Sequence, residues 1–184
     1  MNVLAIDTTT DKIVLALKKG DEEKYYVGTD GCKRHNAVLL EAIDRLLSDN
    51  GVKMNDIDFL CAVVGPGSFT GIRIGVATIN ALSMATGAKI VEVTSLEQDD
   101  DGTDKIVLLD CKHGNYYALS IRGSEKKYFE TNEEELSSID LPKEYLVASS
   151  PEKIVKQCVK KVLNNEFVEQ AKPFYLKKSS AERL

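Results

Sequence analysis

Tryptophan is missing from this 184-residue chain, histidine occurs twice, and proline and cysteine four times each. Each scarcity removes a class of function. His35 and His113 cannot share a helical face at i and i+4, which excludes a helical two-histidine metal site. Cys32, Cys61, Cys111 and Cys158 include no C-x-x-C pair, so zinc-ribbon and thioredoxin-type sites are excluded too. Cys61 lies in the apolar run Phe59–Val64 and reads as a buried structural thiol, with nothing beside it to lower its pKa. His35 stands just before a helix and reads as a capping or packing residue. No apolar run approaches the ~18 residues that a membrane span needs. The start, Met1–Asp7, has neither the basic flank nor the apolar length of a signal peptide, and reads as the first strand of a cytoplasmic protein with no membrane partner.

Positive charge is also in deficit. The chain has 24 Lys+Arg against 29 Asp+Glu, a net charge of −5. That argues against a protein that coats nucleic acid by itself, because phosphate binding needs clustered cations. The remaining composition, 43% hydrophobic and 29% charged, is that of a soluble domain long enough to bury a core.

What the chain does have is an internal repeat. A shift of 103 residues lays Asn2–Tyr26 on Lys105–Phe129 without a gap. Asp7 meets Asp110, Gly20 meets Gly123, Glu22 meets Glu125, Lys24 meets Lys127 and Tyr25 meets Tyr128. Each copy reads as three strands: Val3–Asp7, Lys12–Lys18 and Lys24–Gly28, then Ile106–Asp110, Asn115–Ile121 and Lys126–Glu130. The first meander is followed by a helix over Asn36–Ser48, a strand Phe59–Val64, a helix Thr70–Thr86 and a strand Lys89–Val93. The second is followed by a short helix Glu133–Ser138, a strand Tyr145–Ala148, a helix Pro151–Leu163 and a strand near Phe167–Ala171. Both halves thus read βββαβαβ. The expected organisation is an amino-terminal lobe over 1–97, an acidic linker over 98–104 and a smaller lobe over 105–184.

The strongest local signal lies between a buried strand and a helix: Gly65, Pro66, Gly67, Ser68, Phe69, Thr70, Gly71 and Arg73. Such a loop is where ligands meet helix N-termini in α/β folds. It is neither a Walker A loop, since no lysine follows, nor G-x-G-x-x-G, since the third glycine is one residue late. In the helix that follows, Gly71, Gly75, Thr78, Ala81 and Ala85 recur at three- to four-residue steps. Helical glycine costs ~1 kcal/mol against alanine, so a close neighbour should offset it. That neighbour is either the chain's own sheet or a partner helix. On the second reading the partner surface comprises Gly71, Gly75, Thr78, Ala81, Leu82 and Ala85, with Val38 and Ala42 from the preceding helix. Asp7, Thr8, Thr9 and Thr10 are either a vestigial phosphate–Mg²⁺ turn or residues that shape a hairpin through Asx and hydroxyl turns.

The duplicated plan resembles the actin-like ATPase superfold (ASKHA, RNase H-like). Within it, the stretch from Gly65 to Thr78 resembles the hallmark of the bacterial TsaB (YeaZ) family. Leu4–Thr10, Val93–Glu97 and Tyr175–Glu182 agree with the same family. Two features depart from it: the second half is short, and Asn36 stands where relatives often have serine. The resemblance implies a non-catalytic subunit for threonylcarbamoyl transfer to adenosine 37 of tRNA. Such a subunit pairs with the catalytic relative TsaD, takes the ATPase TsaE as a third component, and meets tRNA through the complex. TsaD binds its metal through H-x-x-x-H; here His35 is followed four residues later by Leu39. The expectation is therefore no catalytic or metal-binding residue and no cofactor in the chain alone, with ATP/ADP and metal entering only in complex with TsaD and TsaE. In isolation a homodimer is expected. The competing reading is a stand-alone small ATPase or sugar-kinase-like enzyme of the same superfold, for which the second copy supplies no glycine-rich phosphate loop. A peptidase lacks any supporting Ser/His/Asp or metal constellation.

Overall fold

A computed structural model describes residues 1–28 and 35–176. Cys32, the side chains of His35 and Asn36, and the tail motif from Lys177 onward lie outside the described residues. The first half contains β1 (Asn2–Asp7), β2 (Ile13–Lys19), β3 (Glu22–Gly28), α1 (His35–Ser48), β4 (Phe59–Val63), α2 (Phe69–Thr86) and β5 (Lys89–Val93). The second contains β6 (Lys105–Asp110), β7 (Asn115–Arg122), β8 (Glu125–Asn132), α3 (Glu133–Ser137), β9 (Lys143–Tyr145) and α4 (Pro151–Leu163). The strand orders are β3-β2-β1-β4-β5 and β8-β7-β6-β9. In each sheet the first three strands are antiparallel and the fourth pairs parallel with the first. The duplicated α/β plan extends to the order of the strands.

β1 and β4 are apolar at successive positions because both faces of the first sheet are covered. On one face Leu4, Ile6 and Leu60 pack with Leu39 and Ile43 of α1 and Ile72 and Ile79 of α2. On the other, Val3, Ala5, Cys61 and Val91 pack with Ile154, Val155 and Cys158 of α4. Ser68 caps α2 by accepting from Gly71 N, and Gly87, at φ +76°, ends it.

Four expectations need correction. The repeat carries a gap: Asp7 pairs with Val14, but Asp110 pairs with Tyr116, so the second turn is one residue shorter. The β7–β8 hairpin is thereby slipped by one residue on β6, which exchanges the two faces of β7 relative to the gapless alignment. β9 ends at Tyr145 rather than Ala148 because the chain turns away: Leu146 still donates to Leu108 O, but Val147 is 93% exposed. α4, assigned to the lobe over 105–184, instead packs on β1, β2, β4 and β5, since its apolar stripe covers a face of the first sheet that would otherwise be bare. The strand near Phe167–Ala171 is a single antiparallel bridge from Val168 to Ile90 of β5, so the second sheet has four strands and the first five.

The acidic stretch 98–104 connects the sheets, but its beginning is buried. Leu96–Asp99 form a 3-10 turn, and Gln98, Asp99 and Asp100 are 3%, 6% and 3% exposed.

Candidate functional site

The glycine loop leaves β4 and is tied down on three sides. Gly65 O accepts from Ser95 N, Val64 O accepts from Phe174 N, and Ser68 N donates to Thr9 O at 2.7 Å. At Gly65, φ is +113° and an added Cβ would stand 2.7 Å from Phe174 O, so no side chain fits. Phe69 and Arg73 both hold Tyr175. The Phe69 ring stacks on Tyr175 at 4.9 Å, and Arg73 Nε donates to Tyr175 OH at 2.9 Å.

The glycines of α2 face inward. A Cβ on Gly71 would lie 1.8 Å from Thr8 O, and one on Gly75 would lie 2.5 Å from Thr8 Oγ1. Thr8 Oγ1 in turn donates to Gly71 O at 2.6 Å. The close neighbour that offsets helical glycine is thus the chain's own β1–β2 turn, and Gly71 and Gly75 leave the list of partner-surface residues. Ala42 leaves it too, being buried in the core behind α1. The other five stay on the outside: Ala81 and Ala85 are exposed, while Val38, Thr78 and Leu82 are half-buried. Thr70, Ala77 and Met84, the last 90% exposed, join that outer face. Arg73 is the one charged residue of α2.

A cleft of about 550 Å³ lies between the halves, lined by Asp7, Thr9, Ser68, Gln98, Asp110 and Ser149 among others. The two copies of the repeat face each other across it with the same turn. Thr9 N donates to Asp7 Oδ1 at 2.7 Å, and Lys112 N donates to Asp110 Oδ1 at 2.7 Å. The hydroxyls of the first copy make bonds within the chain. Thr8 is bonded to Gly71, Thr9 Oγ1 accepts from Ser95 Oγ, and Thr10 Oγ1 accepts from Lys12 N. Asp7 Oδ2 accepts from Ser149 Oγ at 2.5 Å. Asp7 is 1% exposed, and burial pushes its carboxyl up, outweighing the hydrogen bonds from Ser149 and Thr9. These contacts are those of a shaping turn.

The sign of the resulting pH dependence follows from linkage. The folded chain holds the Asp7 proton above 3.8, where the unfolded chain has lost it, so this group makes stability fall as pH rises from about 4 through the folded pKa. Asn at this position removes that fall, and Ser149 Oγ is free to turn and accept from the new amide. Melting curves of wild type and Asp7→Asn between about pH 4 and 7 should therefore move in favour of the variant as pH rises. A difference that stays constant, or moves the other way, contradicts the assignment.

Cys61 on β4 and Cys158 on α4 meet in the core. Their mutual hydrogen bond, followed by burial, pushes the Cys61 thiol well up, as suits a structural thiol. Among the described residues, no group of three or more His, Cys, Asp or Glu is arranged to hold a metal ion. No described helix is long and apolar enough to cross a membrane. The sequence gives no sign that Gln98 and Ser149 belong to the cleft. Both lie in segments without periodicity, and their partners are 51 to 142 residues away.

A family model described as TsaD: tRNA N6-adenosine threonylcarbamoyltransferase matches residues 29–180. The chain is 28% identical over 144 residues to the tRNA threonylcarbamoyladenosine biosynthesis protein TsaB of Escherichia coli, over 73% of this chain and 61% of that protein. It is 34% identical over 97 residues to the Bacillus subtilis protein of the same name, over 53% of this chain and 42% of that one. The chain thus spans about half the length of the curated relatives it matches. Among solved structures, YeaZ from Pseudomonas aeruginosa superimposes with a TM-score of 0.75 at 19% identity, over 95% of this chain and 99% of that one. That likeness is one of fold.

Proposed function

Because the chain belongs to the TsaB (YeaZ) group of the TsaD threonylcarbamoyltransferase family, we propose that it is a non-catalytic subunit of the tRNA threonylcarbamoyladenosine machinery, pairing with a TsaD homologue in the cytoplasm. The observation that carries this reading is the outer face of α2. An 18-residue helix with one charged residue presents Thr70, Ala77, Ala81 and Ala85 to solvent, beside an exposed Met84 and half-buried Ile74 and Leu82. The scarcity of charge and the exposed methionine suit the desolvated centre of a protein interface, where charge is depleted and methionine enriched. The same face, without its partner, supports a homodimer in isolation. On this reading TsaE joins as a third component, tRNA is reached through the complex, and nucleotide and metal enter with the partners.

Reconstitution tests it. The chain alone should neither modify tRNA nor hydrolyse ATP with useful turnover, and adding it to the TsaD and TsaE homologues of the same cell should raise threonylcarbamoyl transfer. ATP hydrolysis that survives re-purification and is lost in Asp7→Ala would instead favour the kinase-like alternative.

A further inference from the structure

The two sheets have separate apolar cores. The clusters around Leu4 and Val3 belong to the first sheet, and those around Val107 and Ile106 to the second. Between them, behind the cleft, lies a polar junction built on the connector 96–100. From the second sheet, Lys126 of β8 places its Nζ 2.6 Å from Asp100 Oδ2 and 3.6 Å from Glu97 Oε1. From α4, on the first sheet, Lys160 lies 3.6 Å from the same Asp100 oxygen and Lys161 lies 3.0 Å from Glu97 Oε2. Lys153 pairs with Asp99, and Gln157 Nε2 donates to Asp100 O. Burial alone would raise both carboxyls, but the lysines beside them, together with hydrogen bonds from Thr94 N to Glu97 and Gly102 N to Asp100, outweigh it and hold both below their ordinary values. Gln98, in the same short turn, points the other way, accepting from Ser150 N beside the cleft.

We propose that this network is a catch that fixes how the two sheets close on the cleft, with Lys126 as its releasable half. Buried ion pairs seldom stabilise a fold more than apolar contacts of the same size; their attested use is to specify one arrangement. Asp100 is pulled from both sides, by a lysine of each sheet, so its position sets their mutual angle. Lys126 and Lys160 are 33% and 52% exposed, which leaves the catch open to screening by salt. When Lys126 lets go, β8 parts from the connector while α4 keeps its hold. The loop 146–150, latched to Asp7 through Ser149, is then freed with it.

The test is hydrogen–deuterium exchange of the full chain in wild type, in Lys126→Met and in wild type at about 1 M sodium chloride. Methionine keeps the length of the side chain and removes its charge. In the last two samples, exchange over 96–104 and 146–150 should quicken by roughly tenfold, with β1 and β4 unchanged. Lys127→Met, an exposed neighbour on the opposite face of β8, should behave as wild type. Unchanged exchange in both segments would overturn the proposal. So would a uniform increase across the chain, which would make the network a general source of stability rather than a catch.

Discussion

Gly71→Ala should cost the fold about 3 kcal/mol or more, at the upper end of the range for overpacking, although it adds a single methyl group. The added Cβ would stand 1.8 Å from Thr8 O, a backbone atom that cannot rotate aside. The same place is held by the Thr8 Oγ1 bond to Gly71 O, so separating helix from turn breaks that bond as well. For a chain of this length the loss corresponds to roughly 6–12 °C in melting temperature. Gly87→Ala provides the control. Gly87 ends α2 at φ +76° with nothing within 4 Å of an added Cβ, so it should lose about 1 kcal/mol from backbone strain alone. Urea and thermal unfolding of both variants measure the contrast. A Gly71→Ala variant that melts with wild type would mean that α2 does not sit on the β1–β2 turn.

Ala81→Arg should do the reverse, leaving the fold alone and abolishing assembly. Ala81 is exposed on the outer face of α2, about a quarter to a third of a turn round from the buried glycines, so its replacement should change stability by no more than about 0.5 kcal/mol. In an interface, the same change buries an unpaired guanidinium and wedges apart surfaces that meet over small side chains. Affinity for the catalytic homologue should fall at least about 100-fold, equivalent to ~2.7 kcal/mol. The homodimer of the isolated chain should dissociate by the same substitution. Calorimetric titration against the partner, with light scattering on the chain alone, reads both effects. Binding that survives Ala81→Arg unchanged would place the partner on another surface.

These two variants separate what the sequence left joined. The small-residue periodicity of α2 is visible in the residue order, yet periodicity does not say which side of a helix faces home. The side is decided by Thr8, whose carbonyl and hydroxyl fill the space at Gly71 and Gly75, a contact across 63 residues of chain. Elements that depend on local pattern were legible: the meanders, α1 and α2 follow from periodicity and turn chemistry. The equivalence of Asp7 and Asp110 was legible too, and both close the same Asx turn. Long-range choices were not. The apolar stripe of α4 fits either sheet, and the bare face of the first sheet takes it. The acidic residues at 99 and 100 read as part of a linker because their lysines, at 126, 153 and 160, come from other elements. The one-residue slip between the copies hides in a turn, where composition carries no register.

The account rests on α2 having two faces with different duties, the inner one toward the chain's own turn and the outer one toward a partner. Hydrogen–deuterium exchange of the chain alone and after addition of its TsaD homologue measures this most directly. The account predicts new protection concentrated in α1 and α2, with the turns at 8–12 and 111–114 unchanged. Protection at those turns and around the cleft, with α1 and α2 exchanging as before, would contradict it.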